Sequence, residues 1–204
     1  MTNPSGQCWY DTNVYIETTK KLFLHTLTEL EVDRISEVYE LLYKGTDLLR
    51  PDIIIPPSSH KTSELLVSGE IFGSKSSKNS RSSFVRAFWS DKDGKILQFK
   101  DYDEDSKPRL GIITEFVKHT FMVDGKGFTH WFACVEWCLS FVSQSITNYF
   151  GEPVECWKAH GRVNKGPASF IPVFRILDKC VHSIQKVQGN DALVTIPRIR
   201  NSSF

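Results

Sequence analysis

The chain has 204 residues, with 25 Lys+Arg against 24 Asp+Glu, 40% hydrophobic and 12% aromatic residues. That length accommodates one sizeable domain with a buried core and excludes a disordered tail. Its apolar runs, such as Ile53-Ile54-Ile55, fall far short of the roughly 20 residues that cross a bilayer. Met1-Thr2-Asn3-Pro4-Ser5-Gly6-Gln7 also lacks the basic and apolar regions of a secretory signal, so no membrane segment and a cytosolic or nuclear location are expected. The cysteines at 8, 134, 138, 156 and 180 are odd in number and are expected to be reduced, mostly buried thiols.

In chain order, the first predicted element is an amphipathic helix in which Phe23, Leu27 and Leu30 keep helical spacing and Leu24 widens the stripe. A second helix is predicted from Ile35, Val38, Tyr39 and Leu42 at i, i+3, i+4 and i+7, with Asp33 as N-cap and Gly45 as the C-terminal stop. Both stripes need burial, so the helices should pack on each other and on the later part of the chain. Arg50-Pro51 and Pro56-Pro57 end the helical region and place a boundary near residue 57.

Beyond that boundary the period becomes that of strands. Strands are predicted over Leu65 to Phe72 and Ser83 to Trp89, then a turn at Asp91–Lys95 with a return strand Ile96 to Phe99, and an acidic loop from Asp101 to Pro108. Two long β runs, Leu110 to Val123 and Phe128 to Phe141, are joined by Asp124-Gly125-Lys126-Gly127. Phe170 to Ile176 and Cys180 to Val187 complete the set, separated by Leu177-Asp178-Lys179. The expected fold is mainly β with N-terminal helices: a helical element at 1–57, a small β-barrel or sandwich at 58–188, and a basic C-terminal tail at 189–204.

Three stretches carry a family resemblance. They are Ala133-Cys134-Val135-Glu136-Trp137, then Pro153-Val154-Glu155-Cys156-Trp157-Lys158-Ala159-His160, then Phe170-Ile171-Pro172-Val173-Phe174-Arg175-Ile176-Leu177-Asp178-Lys179-Cys180-Val181. On these the segment from Leu110 to Val187 resembles a bromo-adjacent homology (BAH) domain, and 58–188 does so more loosely. The chain departs from the family where Cys138-Leu139-Ser140-Phe141 stands in place of an aromatic residue followed by Arg-Pro. The Ser-rich basic loop, hairpin and Phe128-to-Trp137 strand also resemble accessory proteins of eukaryotic mobile elements. The BAH resemblance implies a nuclear, non-catalytic module that binds chromatin proteins, histone tails or DNA, with no cofactor. The alternative is a structural or assembly subunit that binds a partner protein, or forms an oligomer, through the helices and an exposed sheet face.

The near-neutral total charge conceals a polarity. Residues 158–204 carry eight basic and two acidic side chains, +6, which leaves −5 for residues 1–157. The candidate nucleic-acid contacts are Lys158, Arg162, Lys165, Arg198 and Arg200, together with Lys75, Lys78, Arg81 and Arg86, a segment with no acid between Ser74 and Ser90. The plainer reading is a solvated loop and tail. Among the aromatics most should be core, while Trp89, beside the Asp91–Lys95 turn, and Trp157, in an expected loop, are candidates for a cation-binding cage. Cys134-x3-Cys138 and Cys156-x3-His160 offer a donor set that zinc accepts. Residues four apart on a strand are about 13 Å apart, however, and no metal is expected. No nucleophile, phosphate-loop or metalloprotease spacing accompanies the six histidines, so no catalysis is expected. His119 and His130 should face each other across the ladder.

Overall fold

The computed structural model describes residues 15–43, 54–87, 108–141, 146–147, 153–164 and 167–197. The strands are β1 (Ile16–Glu17), β2 (Phe23–Thr26), β3 (Ser58–Thr62), β4 (Glu64–Val67), β5 (Glu70–Gly73), β6 (Phe84–Ala87), β7 (Arg109–Val123), β8 (Lys126–Ser140), β9 (Ile146–Thr147), β10 (Pro153–Val163), β11 (Phe170–Pro172), β12 (Ile176–Val187) and β13 (Asn190–Pro197). One helix, α1 (Glu29–Leu42), and short 3-10 turns at Ser80–Ser83, Pro167–Ser169 and Val173–Arg175 accompany them.

The fold is mainly β. Strands β8, β10, β13, β12, β6 and β7 pair in that order, and β7 pairs back with β8, which closes a six-stranded antiparallel barrel. β3 and β2 extend the sheet beyond β7, β11 adds to β8, and β1, β4 and β5 form a separate three-stranded sheet. Closure leaves the barrel strands without free edges.

Three hairpins are set by their turn residues. Ser68-Gly69, Asp124-Gly125 and Gln188-Gly189 all hold positive φ at both positions (48° and 81°, 50° and 77°, 49° and 80°), the backbone that matches strand twist and that glycine adopts without strain. The Asp124 turn is therefore two residues long, where four were expected. The Leu65-to-Phe72 strand is in fact the β4–β5 hairpin.

The N-terminal region differs from the two-helix expectation. Phe23–Thr26 is β2, paired with β3, and α1 begins well before Asp33. Thr28 caps it: its hydroxyl accepts from Glu31 N (3.3 Å), and the Glu31 carboxylate accepts from Thr28 N (2.9 Å). This capping box is spelled in the sequence as Thr28-x-x-Glu31, and Asp33 lies inside the helix. The expected stripe of Ile35, Val38, Tyr39 and Leu42 is buried, in one core with Phe116, Phe121 and Phe132 of β7 and β8. Residue 57 therefore separates no cores.

The C-terminal end is also revised. Residues 190–197 are not a tail but β13, a barrel stave between β10 and β12. β12 is continuous from Ile176, so Leu177-Asp178-Lys179 is strand rather than a separating turn. The return strand at 96–99, the acidic loop, and the turns at 45 and 91–95 lie outside the described residues.

On β8, Phe132 and Cys134 share one face and Ala133, Val135 and Trp137 the other, and all five are buried. The first face meets α1, with Phe132 and Tyr39 ring centroids 5.6 Å apart. On the second face, Trp137 Nε1 donates to Ala168 O (2.7 Å), and Gly111 of β7 lies opposite Trp137. A Cβ at Gly111 would overlap Val135 Cγ1 and sit 3.1 Å from the indole. Gly111→Ala is expected to lower stability by about 1–3 kcal/mol through overpacking, read as a lower urea midpoint at unchanged m.

Candidate functional site

The barrel interior receives side chains from all six staves. Leu110, Ile112, Cys138, Cys180 and Leu193 form a buried cluster, with Phe84 and Trp157 packed against it. Arg86 of β6 joins them. Its Nε donates to Asp178 Oδ1 (2.9 Å), its Nη2 to Asp178 Oδ2 (2.5 Å) and its Nη1 to Glu155 Oε1 (3.0 Å). β12 and β13 stand between β6 and β10 in the ring, so a bond from Arg86 to Glu155 crosses the interior. The bidentate carboxylate of Asp178, outweighing burial, holds the guanidinium above its ordinary pKa. Arg86, expected as a nucleic-acid contact, is thus an internal strut.

The other basic candidates divide by the partners they find. Lys75 is ion-paired to Glu136 (2.5 Å). Arg162 donates to the carbonyls of Lys158, Ala159 and Gly161 (2.9–3.2 Å), closing the bulge in β10 where pairing with β8 shifts register. Lys78, Arg81 and Lys158 are exposed, and no acidic partner meets them among the described residues. Lys165, Arg198 and Arg200 lie outside the described residues, as does Trp89.

Arg81 opens onto a cleft of about 500 Å³ lined also by Ser82, Lys179, Cys180, Val181 and His182. It forms where β6 ends. The β6–β12 ladder last pairs Lys179 with Val85, and the turn at Ser80–Ser83 immediately precedes β6. Lys179 is tied to Glu70 (2.8 Å), whereas the Arg81 guanidinium is exposed. The His182 ring stacks on Phe84 with centroids 3.6 Å apart. Burial and the Arg81 charge lower the His182 pKa, against a backbone hydrogen bond at Cys180 that raises it. Among the described residues the walls carry cations, a hydroxyl and an imidazole but no carboxylate.

No protein-family model, curated protein or solved structure matches the chain.

The remaining sequence candidates take structural places. Trp157 is on β10 rather than in a loop, half-buried against the interior cluster, and its Nε1 has no hydrogen-bond partner among the described residues. Cys134 and Cys138 lie on the unbroken β8, and the described residues hold no cluster of three metal-ligating side chains. Burial pushes the Cys138 thiol up to about 11 and Cys180 up to about 12, the opposite of what a nucleophilic thiolate needs. His119 and His130 do face each other across the ladder. Sequence reasoning missed His182, Lys179 and Ser82 as members of a site. The only sequence signal for His182 is strand alternation with Cys180, which does not say that β6 stops short of it.

Proposed function

We propose that the chain is a non-catalytic, BAH-like binding module that acts in the nucleus on chromatin and contacts the phosphate backbone of DNA. The observation that carries this reading is the β12 cleft with the exposed Arg81 and with His182 on its walls and, among the described residues, no carboxylate in its lining. Such a surface attracts an anion, and its sign disfavours a basic histone tail. Exposed Lys78, three residues before Arg81, adds a second positive charge to this segment, and Ser76 and Ser80, also exposed, supply hydroxyl donors of the kind that bind phosphate oxygens.

A mobility-shift series with the full chain and a duplex of arbitrary sequence tests it. Affinity should fall with salt at a log–log slope of about −0.9 for each phosphate neutralised. Lys78→Glu combined with Arg81→Glu should flatten that slope and weaken binding to every sequence alike. A zero slope, or no binding at low salt, would reject the reading.

One observation favours the assembly alternative. Val181 and Ile196 form a cross-strand pair on the barrel exterior, 62% and 50% exposed, an apolar sheet face that suits a protein partner. The helix does not contribute, because its apolar stripe is buried against the barrel. A stable oligomer in size exclusion that Val181→Asp dissolves, with no DNA affinity, would move the conclusion to this alternative.

A further inference from the structure

We propose that the β12 cleft is a proton-coupled phosphate site, in which Arg81 and His182 hold the same anionic oxygen group and His182 takes up a proton as the anion binds. This rests on the DNA-binding reading for its physiological ligand, but not for its chemistry, which is that of any sulfate- or phosphate-like group.

The geometry places both groups at one opening. His182 has the parity of the interior residue Cys180, yet it lies past the point where β6 pairs with β12, so its ring reaches the cleft rather than the core. Phe84 stacks on one face of that ring with an interplanar angle of 26°, which fixes its plane. Arg81 lies on the adjoining turn, near enough for its charge to act on the imidazole. Among the described residues the charged and titratable groups around His182 are few. The 3-10 turn supplies Arg81, and β12 itself supplies Cys180 and Lys179, the latter neutralised by Glu70 of β5. β6 presents Phe84, and β13 pairs the uncharged Thr195 opposite. Asp178 and Glu155 are held by Arg86 and do not serve the cleft.

With the site empty, a protonated His182 would be part-desolvated and would face the Arg81 charge, which no acidic side chain meets among the described residues, so the neutral ring is favoured. An anion between the two reverses the sign of the local field, and both cations are then stabilised. Anion binding and protonation are therefore linked, and each strengthens the other by the same factor. Binding should tighten as pH falls through the histidine range, whereas a site of arginine and lysine alone would show no such dependence.

The test uses the full chain with two probes, a short DNA duplex and inorganic sulfate, which stays fully ionised over the range and so contributes no titration of its own. Wild-type affinity for the duplex should rise by up to about tenfold between about pH 8 and pH 5.5 at constant ionic strength. His182→Gln should retain binding and lose that rise, and Arg81→Ala should weaken binding at every pH. In NMR titrations, sulfate should shift the His182 imidazole resonances and raise their titration midpoint. A pH dependence that survives unchanged in His182→Gln, with no sulfate response at His182, would overturn the proposal while leaving DNA binding intact. A sulfate response at His182 in a protein that binds no DNA would sustain the site and remove the functional reading instead.

Discussion

Replacing Arg86 by Ala should cost about 3–5 kcal/mol of stability, the range found when one partner of a buried ion pair is removed. Asp178 is 6% exposed, and both of its oxygens face the guanidinium. One Glu155 oxygen already lacks a hydrogen-bond partner among the described residues, so the variant would leave the buried Asp178 carboxylate, and the partly exposed Glu155 beside it, without the guanidinium that neutralises them. Arg86→Lys should recover only part of the loss, since an ammonium cannot make the two parallel bonds of the fork. Urea denaturation of Arg86→Ala, Asp178→Ala and the double variant would check this. The double variant should lose much less than the sum of the singles, and strict additivity would mean that the strut carries no coupling. Lys78→Ala, on the exposed turn, should stay within about 0.5 kcal/mol of wild type. DNA affinity should respond in the opposite order, with Lys78 and Arg81 changing the salt slope and Arg86 leaving it alone wherever the protein is folded.

Mild acid should destabilise the protein well before its carboxylates titrate. α1 is fastened to the barrel by two Tyr–His contacts. The Tyr39 hydroxyl meets His119 Nδ1 (2.8 Å) and the Tyr43 hydroxyl meets His130 Nε2 (2.7 Å). His119 Nε2 donates to the carbonyl of Pro56 (2.7 Å), so its Nδ1 is the acceptor for Tyr39 in the neutral ring. Both imidazoles are buried, among Phe121, Phe128 and Phe132. Burial, reinforced by His119, pulls the His130 pKa down from 6.5 to about 3, and burial lowers His119 too.

The folded state therefore prefers the neutral rings. Their contribution is complete above about pH 6.5, where the unfolded chain is also neutral. As pH falls below that value the unfolded state binds protons first, and stability is lost progressively until the folded pKa is reached. For His130 alone the full loss is roughly 4–5 kcal/mol at about 1.4 kcal/mol per unit. Urea midpoints measured between about pH 7.5 and 4 should fall steeply from near pH 6.5. His130→Phe, with a lower plateau because Tyr43 loses a partner, should show a distinctly shallower fall. A wild-type midpoint flat down to about pH 5 would contradict the burial of these rings.

How far the sequence reaches can be traced through particular residues. The stripe Ile35, Val38, Tyr39 and Leu42, the Asp124-Gly125 turn, the His119–His130 pairing and the barrel class are all local periodicities or short-range turn chemistry. Such signals survive without knowledge of the partner. Phe23 to Leu30 misled because four apolar residues at helical spacing also satisfy a short strand followed by a helix cap, and pairing with β3 decides between them. Ala192 to Ile196 read as part of a tail because the basic residues beyond it dominate the composition.

The β-rich character, the helix that carries the Ile35–Leu42 stripe and the Gly-containing hairpin at Asp124-Gly125 were legible in the sequence, because these depend on neighbours within a few residues. Only the tertiary structure decided that Arg86 points into the barrel while Arg81, on the turn just before β6, lines a cleft with His182. Strand alternation sorts side chains onto two faces but does not say which face a closed sheet encloses, nor where one strand outlasts its neighbour. Those outcomes depend on the pairing of β6 with β12 and on the closure of β7 onto β8, contacts between segments far apart in the chain.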